Sequence, residues 1–248
     1  MSIQFNDIEN KRGILQHIER NCGFEDGGIT GNTKLKKWFT SEVNLALDEV
    51  LSNIFEVDGT WQFDDSNFED FPTITTDLVA GQRDYNFTTD ETGNLILDVY
   101  SVFALKSATD TKFELLQPID RQSDKGTDGY WDGQEKQGVP TSYDKTGNGI
   151  LLDLVPDFSV ANGLKIYINR EGSYFSDNDT TKKAGFSGLY HEYLALRPAY
   201  NYARINSLPY TEQLKRDMRE IMEKLRDSYS RREKDKRHVM RPKKINYI

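Results

Sequence analysis

Residues 138–170, GVPTSYDKTGNGILLDLVPDFSVANGLKIYINR, contain three short runs separated by turn-forming residues. The runs at 141–145, 150–155 and 164–169 predict three β-strands, because each is short, apolar or alternating, and bounded by turns. Gly, Asn, Asp and Pro between the runs favour the backbone conformations of tight turns. These turn residues are Gly147-Asn148-Gly149, Pro156-Asp157 and Asn162-Gly163. Nothing in this stretch indicates catalysis, so we interpret it as structural scaffold.

Strand patterns also precede this stretch. Residues 73–78 follow a proline that favours extended backbone, and Tyr85 and Phe87 alternate as on one face of a strand. Residues 95–105 form a longer apolar run, and residues 112–116 are predicted to pair with its end. Together these patterns predict an antiparallel β module in the middle of the chain.

Helical patterns lie on both sides of this module. Asn6 or Asp7 is predicted to cap a short helix that ends near Cys22. A stronger helix is predicted from about Thr33, because its apolar residues follow the three-and-four spacing of one buried face. The apolar stripe of the first helix is Ile8, Leu15 and Ile18, and that of the second is Leu35, Trp38, Phe39, Val43, Ala46, Leu47, Val50, Leu51 and Ile54.

Helices are predicted again after the module. Ser187 is a candidate N-cap, Pro198 is expected to bend the helix that follows, and Pro209 favours the start of another. The stripes of these two helices are Leu189, Tyr193, Leu196 and Tyr200, and then Leu214, Met218, Ile221, Met222, Leu225 and Tyr229.

The predicted fold class is therefore α+β. We expect a helical bundle formed by the N- and C-terminal helices, with an inserted antiparallel β-sheet or sandwich module. The predicted boundaries are 1–60 for the N-terminal helices, 61–185 for the β module, 186–229 for the C-terminal helices and 230–248 for a basic extended arm.

Composition indicates a globular protein. The chain has 248 residues, 36% of them hydrophobic, enough for one large domain or two small joined ones. No run approaches the roughly 18 apolar residues of a membrane span, and residues 1–12 lack the apolar stretch of a signal peptide. We therefore expect no membrane association, and a chain that either stays in the cytosol or leaves it by a route that needs no signal peptide. Cys22 is the single cysteine, so it forms no disulfide within the chain, and a buried thiol is the simplest interpretation.

Charge is distributed unevenly along the chain. Residues 211–248 carry 13 Lys and Arg against 7 Asp and Glu, a net charge of +6 within a chain of net charge −8. Residues 1–210 therefore carry −14. Residues 38–82 contain ten acidic and no basic residues. An acidic body with a basic arm suits oligomerisation as well as contact with nucleic acid.

The basic arm contains the candidate partner-binding residues. They are Arg231, Arg232, Lys234, Lys236, Arg237, Arg241, Lys243, Lys244, Ile245, Tyr247 and Ile248. The arm supplies little aromatic surface for base stacking, and the acidic body would repel phosphate. We therefore favour a protein partner, either a neighbouring copy or another ring, with 245–248 acting as an added strand or an apolar anchor. A frayed chain end is the alternative.

The polar loop at 119–138 contains a second candidate contact, Tyr130 and Trp131. A loop of this length is often functional or ordered by a partner, and interfaces favour aromatic residues. Trp131 covering an edge of the sheet is an equally good interpretation. The sequence leaves both open.

Motifs for catalysis, cofactors and metals are missing from the sequence. It contains neither a GxxxxGK[ST] nor a GxGxxG phosphate loop, and no GxSxG elbow. His191-Glu192 begins like a zinc-binding HExxH helix, but Ala195 stands where the second histidine belongs. The histidines His17, His191 and His238 are predicted to be solvated. We expect no catalytic, cofactor-binding or metal-binding residue, and hence no enzyme.

The order of several motifs indicates a family. The chain resembles the head-to-tail adaptor, or head-completion, proteins of tailed bacteriophages over most of residues 33–206. The resemblance rests on the amphipathic helix with Trp38, GQRDYNF at 81–87, GVPTSY at 138–143, LLDLVPD at 151–157, LKIYINR at 164–170 and the aromatic helix at 189–202.

The resemblance implies a virion structural protein of the neck, assembled in the host cytoplasm. Its partners would be other copies in a ring of about twelve subunits, the portal protein above and the neck or tail proteins below. In such adaptors C-terminal segments often reach the portal, which implies that the arm at 231–248 binds either the portal or a neighbouring subunit. Genome DNA would pass through without sequence-specific binding. Two alternatives remain from the residues alone, a glycan-binding β-sandwich module and a hydrolase with a carboxylate pair brought together only by folding.

Overall fold

The computed structural model describes residues 3–57, 72–90, 93–119, 136–146 and 149–231. Within these residues the chain has mixed α+β structure, with four α-helices, one 3-10 helix and two four-stranded sheets in which antiparallel pairing dominates. The predicted α+β class is confirmed. The predicted division into segments is not tested by this architecture and stays a prediction.

The four α-helices lie on both sides of the strands in sequence. They are α1 (Ile14–Cys22), α2 (Thr33–Val57), α3 (Tyr193–Ile205) and α4 (Thr211–Ser230). α3 contacts each of the other three, and α2 also contacts α4. Their buried side chains form one hydrophobic cluster. Helices from before and after the strands therefore share one core.

The prediction for α2 is confirmed. The side chain of Asn32 accepts hydrogen bonds from the backbone N–H groups of Lys34 (3.0 Å) and Leu35 (3.3 Å), so it caps the helix start. The predicted stripe from Phe39 to Ile54 is buried, while Leu35 and Trp38 are partly buried. The regular spacing of these side chains explains why the sequence alone predicts this helix.

The predicted start of the first helix is wrong. α1 begins at Ile14, and Ile8, which was expected in its buried stripe, is 58% exposed. The carbonyls of Gln4 and Phe5 accept hydrogen bonds from the N–H groups of Ile14 and Leu15, so this segment closes the helix start. The predicted end is confirmed, because Gly23 adopts the left-handed conformation (φ 73°) of a C-cap.

The third helix begins later than its predicted stripe. Leu189 lies in the 3-10 helix Gly188–Tyr190 and is 77% exposed, so its expected burial is wrong. Tyr193 and Leu196 are buried as predicted. In α4, Leu214, Leu225 and Tyr229 are buried, and the rest of its predicted stripe packs against the same cluster while partly exposed.

The strands form two sheets. The first sheet has the order β1-β8-β3-β4, and the second has the order β2-β7-β6-β5. The strands are β1 (Thr73–Leu78), β2 (Asp84–Asn86), β3 (Ile96–Ala104), β4 (Glu114–Leu115), β5 (Gln117–Pro118), β6 (Ser142–Thr146), β7 (Gly149–Leu152) and β8 (Val160–Arg170). Every neighbouring pair is antiparallel except β5 with β6.

The stretch at 138–170 supplies strands to both sheets. β6 and β7 pair with each other in the second sheet, whereas β8 lies between β1 and β3 in the first. Buried side chains of both sheets form a second hydrophobic cluster, which includes Tyr143 and Ile166. The three predicted strands are confirmed. The third of them, β8, belongs to the first sheet, whereas β6 and β7 belong to the second.

The predicted turn at Asn162-Gly163 is wrong, because both residues lie inside β8. Opposite them, β1 pairs through Thr76 and Leu78 with residues of β8 that are four positions apart, so the strand bulges there. Asn162 has φ 53°, and a Cβ on Gly163 would lie 2.7 Å from the Cβ of Leu78. Asn162 therefore supplies the left-handed backbone of the bulge, and Gly163 supplies the space for β1 to lie close, without reversing the chain.

The segment after β8, residues 171–186, joins the helical cluster. Phe175 is buried and stacks on Phe5, with ring centroids 4.7 Å apart. The backbone N–H groups of Phe5 and Asn6 donate to the carbonyls of Lys182 and Thr180. Residues before α1 thus hold this segment against the helices. No helix within the described residues is both long and apolar enough to cross a membrane.

Candidate interaction surface

Most predicted partner-binding residues lie outside the described part of the chain, which ends at Arg231. Those outside are Arg232, Lys234, Lys236, Arg237, Arg241, Lys243, Lys244, Ile245, Tyr247 and Ile248, together with Tyr130 and Trp131 of the loop. Arg231 follows α4 directly and is exposed. Its guanidinium lies 3.8 Å from the carboxylate of Asp227. Because both side chains are well exposed, this ion pair holds Arg231 only weakly.

The start of the basic arm lies near the end of α2. Arg226, five residues before Arg231, donates a hydrogen bond to Asn53 (2.7 Å) and lies 3.5 Å from the carboxylate of Glu56. The C-terminal part of α4, which precedes the arm, therefore lies beside the last turns of α2.

The acidic residues of α2 contact partners in the same chain. Glu49 binds Arg197 through two N–H donors at 2.7 to 3.0 Å. Asp48 accepts a hydrogen bond from Tyr174. Partial burial acts to raise the pKa of Glu49, but the hydrogen bonds from Arg197 and Tyr193 outweigh it, so the pKa lies below its usual range. Asp48 and Glu49 therefore make stabilising contacts within their own chain.

A sheet edge that no described strand pairs with is a further surface. β1 is the outer strand of the first sheet, and β8 pairs with only one of its sides. Thr75 and Asp77 are exposed on β1. The carboxylate of Asp77 accepts a hydrogen bond from the N–H of Asn162 (2.8 Å), which holds the bulge of β8 against this edge.

The solvent-facing side of the same sheet carries a row of side chains next to this edge. Thr75, Lys165, Phe103 and Leu115 are direct neighbours across the four strands. The rings of Phe103 and Tyr167 pack edge to face, with centroids 5.4 Å apart and an interplanar angle of 65°. The Lys165 ammonium lies 5.2 Å from the centroid of Tyr167. Leu115 is 51% exposed, so the row ends in apolar surface.

Three chemically reactive groups have structural roles. Cys22 is buried, which raises its pKa to about 12. His191, predicted to be solvated, is fully buried, so that prediction is wrong. Buried Glu19 accepts hydrogen bonds from the N–H groups of Ile29 (2.9 Å) and Thr30 (3.0 Å). Across the described ranges, no group of three or more His, Cys, Asp or Glu residues is placed to hold a metal ion.

Comparisons of the chain with protein-family models and with curated proteins find no match. The candidate interaction surface, the edge of β1 and the basic arm, is therefore inferred from the structure and sequence of this chain and not from a relative. Sequence reasoning identified the arm by its charge but missed the edge of β1. A weak signal was present, because residues 73–77 contain three threonines and only one apolar residue, as in a strand with one solvated face.

Proposed function

We propose that the chain is a head-to-tail adaptor of a tailed bacteriophage, a non-enzymatic structural protein of the virion neck. It forms a ring of about twelve copies beneath the portal, joins the capsid to the tail and lets DNA pass. The four helices form a bundle, and the two sheets form a sandwich inserted between its second and third helices. The subunits assemble in the host cytoplasm and contact the portal and the downstream neck or tail proteins.

The observation that carries this proposal is the common core of helices from both ends of the chain. α1 and α2 precede the strands, α3 and α4 follow them, and their side chains lie in one cluster. The β module is thereby attached to the helical cluster at both of its ends. A subunit built in this way is suited to a rigid connector, because two chain segments, one before and one after the strands, connect the β module to the helical cluster.

The distribution of surfaces and charge supports a ring. Copies that join head to tail need two different contact surfaces on each subunit. This chain has a basic arm that leaves the helical cluster after α4 and an open sheet edge at β1, which belongs to the other cluster. Its net charge of −8 favours the passage of DNA, since an acidic wall repels the phosphate backbone.

Native mass spectrometry of the full chain, alone and mixed with the portal of the same phage, tests the proposal. We expect a closed oligomer alone, or one formed on the portal, with a mass that is a whole multiple of 28.6 kDa. Monomers that persist and do not bind the portal would contradict it. Monomers that bind oligosaccharides would support the glycan-binding alternative instead.

A further inference from the structure

We propose that the open edge of β1 binds residues 245–248 of a neighbouring copy as an added β-strand. This inference rests on the proposed ring and specifies its lateral contact. A strand added to a sheet edge gains affinity from backbone hydrogen bonds and specificity from alternate side chains.

The backbone geometry of β1 shows which groups are open. The N–H of Ile168 in β8 donates to the carbonyl of Pro72 (3.1 Å). Because hydrogen-bonded residues alternate along an antiparallel pair, the backbone groups of Ile74 point towards β8, and those of Thr73 and Thr75 point away from it. No residue in the described ranges forms a hydrogen bond with the backbone groups of Thr73 or Thr75.

β1 is also the longest edge strand of the two sheets. It has six residues, whereas β2 has three, and β4 and β5 have two each. Proteins usually protect an open edge with charged residues, proline, a bulge or a short strand. In β1 the charged residue is Asp77, and the bulge of β8 lies opposite the same end of the strand, so Thr73 and Thr75 at the other end have neither protection. Within the part of the chain that the structure describes, nothing pairs with this edge, so it can receive a strand of another copy.

The sequence Ile245-Asn246-Tyr247-Ile248 suits this edge. Its β-branched and aromatic residues favour extended backbone, and successive side chains of a strand point to opposite faces. It begins 14 residues beyond Arg231, which at about 3.3 Å per residue gives the arm a reach of roughly 46 Å. Residues 231–244 carry eight basic and two acidic residues, so the arm is attracted to the acidic body of another copy.

Pairing between copies follows from the difference between the two surfaces. The arm follows α4, whose side chains belong to the helical cluster, and the edge belongs to the sheet cluster, so donor and acceptor are different parts of one subunit. Contacts between unlike patches propagate from copy to copy and close into a ring when the rotation allows. Each copy in the ring then donates one strand and accepts one.

Disulfide cross-linking between full-length copies tests the strand directly. Both copies carry Cys22→Ser; one has Thr73→Cys or Thr75→Cys, and the other has a cysteine at 245, 246, 247 or 248 in turn. Because side chains alternate, we expect cross-linked dimers with 245 and 247 or with 246 and 248, but not with both pairs. Cross-links at all four positions, or at none, would overturn the inference. Asp84→Cys on the edge strand β2 is the matched control and should give no dimer.

A proline pair tests the backbone contact. Thr75→Pro removes an N–H that points away from β8, so the melting temperature should change by less than about 4 °C. It should also lower the yield of cross-linked dimer roughly tenfold. Thr76→Pro, the matched control, removes an N–H that faces β8 and should lower the melting temperature instead. An unchanged dimer yield in folded Thr75→Pro would overturn the inference.

The outcomes separate this inference from the proposed function. Rings that bind the portal without the alternating cross-links would leave the function standing and refute the strand. The opposite case, in which the strand pairs but the function is wrong, needs a second experiment. It mixes a full-length chain carrying Ile245→Ser and Tyr247→Ser with a synthetic peptide of residues 241–248. Peptide binding that Thr75→Pro abolishes, together with a wild-type chain that neither forms rings nor binds the portal, would support the strand and refute the function.

Discussion

His191 shows how a single buried side chain connects distant parts of this chain. Its Nδ1 accepts a hydrogen bond from the N–H of Ile3 (3.1 Å), and its Nε2 lies 2.9 Å from the carbonyl of Phe186. Because a backbone N–H can only donate and a carbonyl can only accept, the ring is neutral with its proton on Nε2. Burial is the main cause that lowers the pKa of His191, and the hydrogen bond to Phe186 opposes it.

The free energy of unfolding should therefore fall as the pH falls below about 6.5, the ordinary pKa of histidine. The unfolded chain binds a proton at His191 more readily than the folded chain does. Above about pH 6.5 the stability that the neutral ring contributes is fully present. As the pH falls from about 6.5 to the lowered pKa of the folded state, this stability is lost. For one proton the slope is at most about 1.4 kcal/mol per pH unit. Urea denaturation in steps from about pH 7.5 to pH 5 measures it.

His17 is the matched control for this pH dependence. Burial and the nearby charge of Arg20 lower its pKa, while Glu192 acts in the opposite direction. We expect His17→Gln to keep most of the slope, and His191→Gln to reduce it while lowering stability at pH 7.5. A slope that survives His191→Gln and disappears in His17→Gln would show that the histidine responsible was misidentified.

At the scale of the elements, α2 and α3 are joined by polar contacts as well as by apolar packing. Tyr193 donates a hydrogen bond to Glu49 (2.8 Å), and Arg197 binds the same carboxylate with both Nε and Nη2. One turn further along α3, Asn201 donates to Glu42 (2.5 Å). These contacts bring together a helix before the strands and a helix after them, so they help fix how the chain closes.

The pairing of Glu49 with Arg197 should be measurable as a coupling energy. We expect a double-mutant cycle with Glu49→Gln and Arg197→Met to give about 1 kcal/mol, because the contact is bidentate but partly exposed. The matched control is Glu220 with Lys224, an exposed pair within α4, for which we expect a clearly smaller coupling because solvent screens it. Equal couplings for the two pairs, from denaturant unfolding of all variants, would contradict this role of Glu49.

At the scale of the whole molecule, two hydrophobic clusters and an uneven charge distribution define what the chain offers to partners. One cluster is built by the helices and residues 171–186, and the other is built by the two sheets. Residues 211–248 carry +6 and the rest of the chain carries −14. Copies of such a chain attract one another when a basic region of one meets an acidic region of the next.

Assembly should therefore weaken when charge in the arm is reversed. We expect Lys243→Glu with Lys244→Glu to lower the association constant about tenfold at ~0.05 M salt, and by less at ~0.5 M, where charges are screened. Sedimentation velocity over a range of protein concentrations measures this change. Lys34→Glu with Lys37→Glu makes the same charge change at the exposed start of α2 and should leave assembly nearly unchanged. Equal effects of the two variants would mean that net charge, and not the arm, controls association.

Local patterns in the sequence determined the helices, most strands and the basic arm. The buried face of α2 and the alternation of Tyr85 with Phe87 were predictable because period and turn chemistry depend on neighbouring residues. Tertiary structure alone decided that β8 joins a different sheet from β6 and β7, that His191 is buried and that β1 is an outer strand among the strands described. Each of these depends on residues far apart in sequence, since strand order and burial arise from long-range packing. The basic arm was thus predictable from its charge, but the edge proposed to receive it was not.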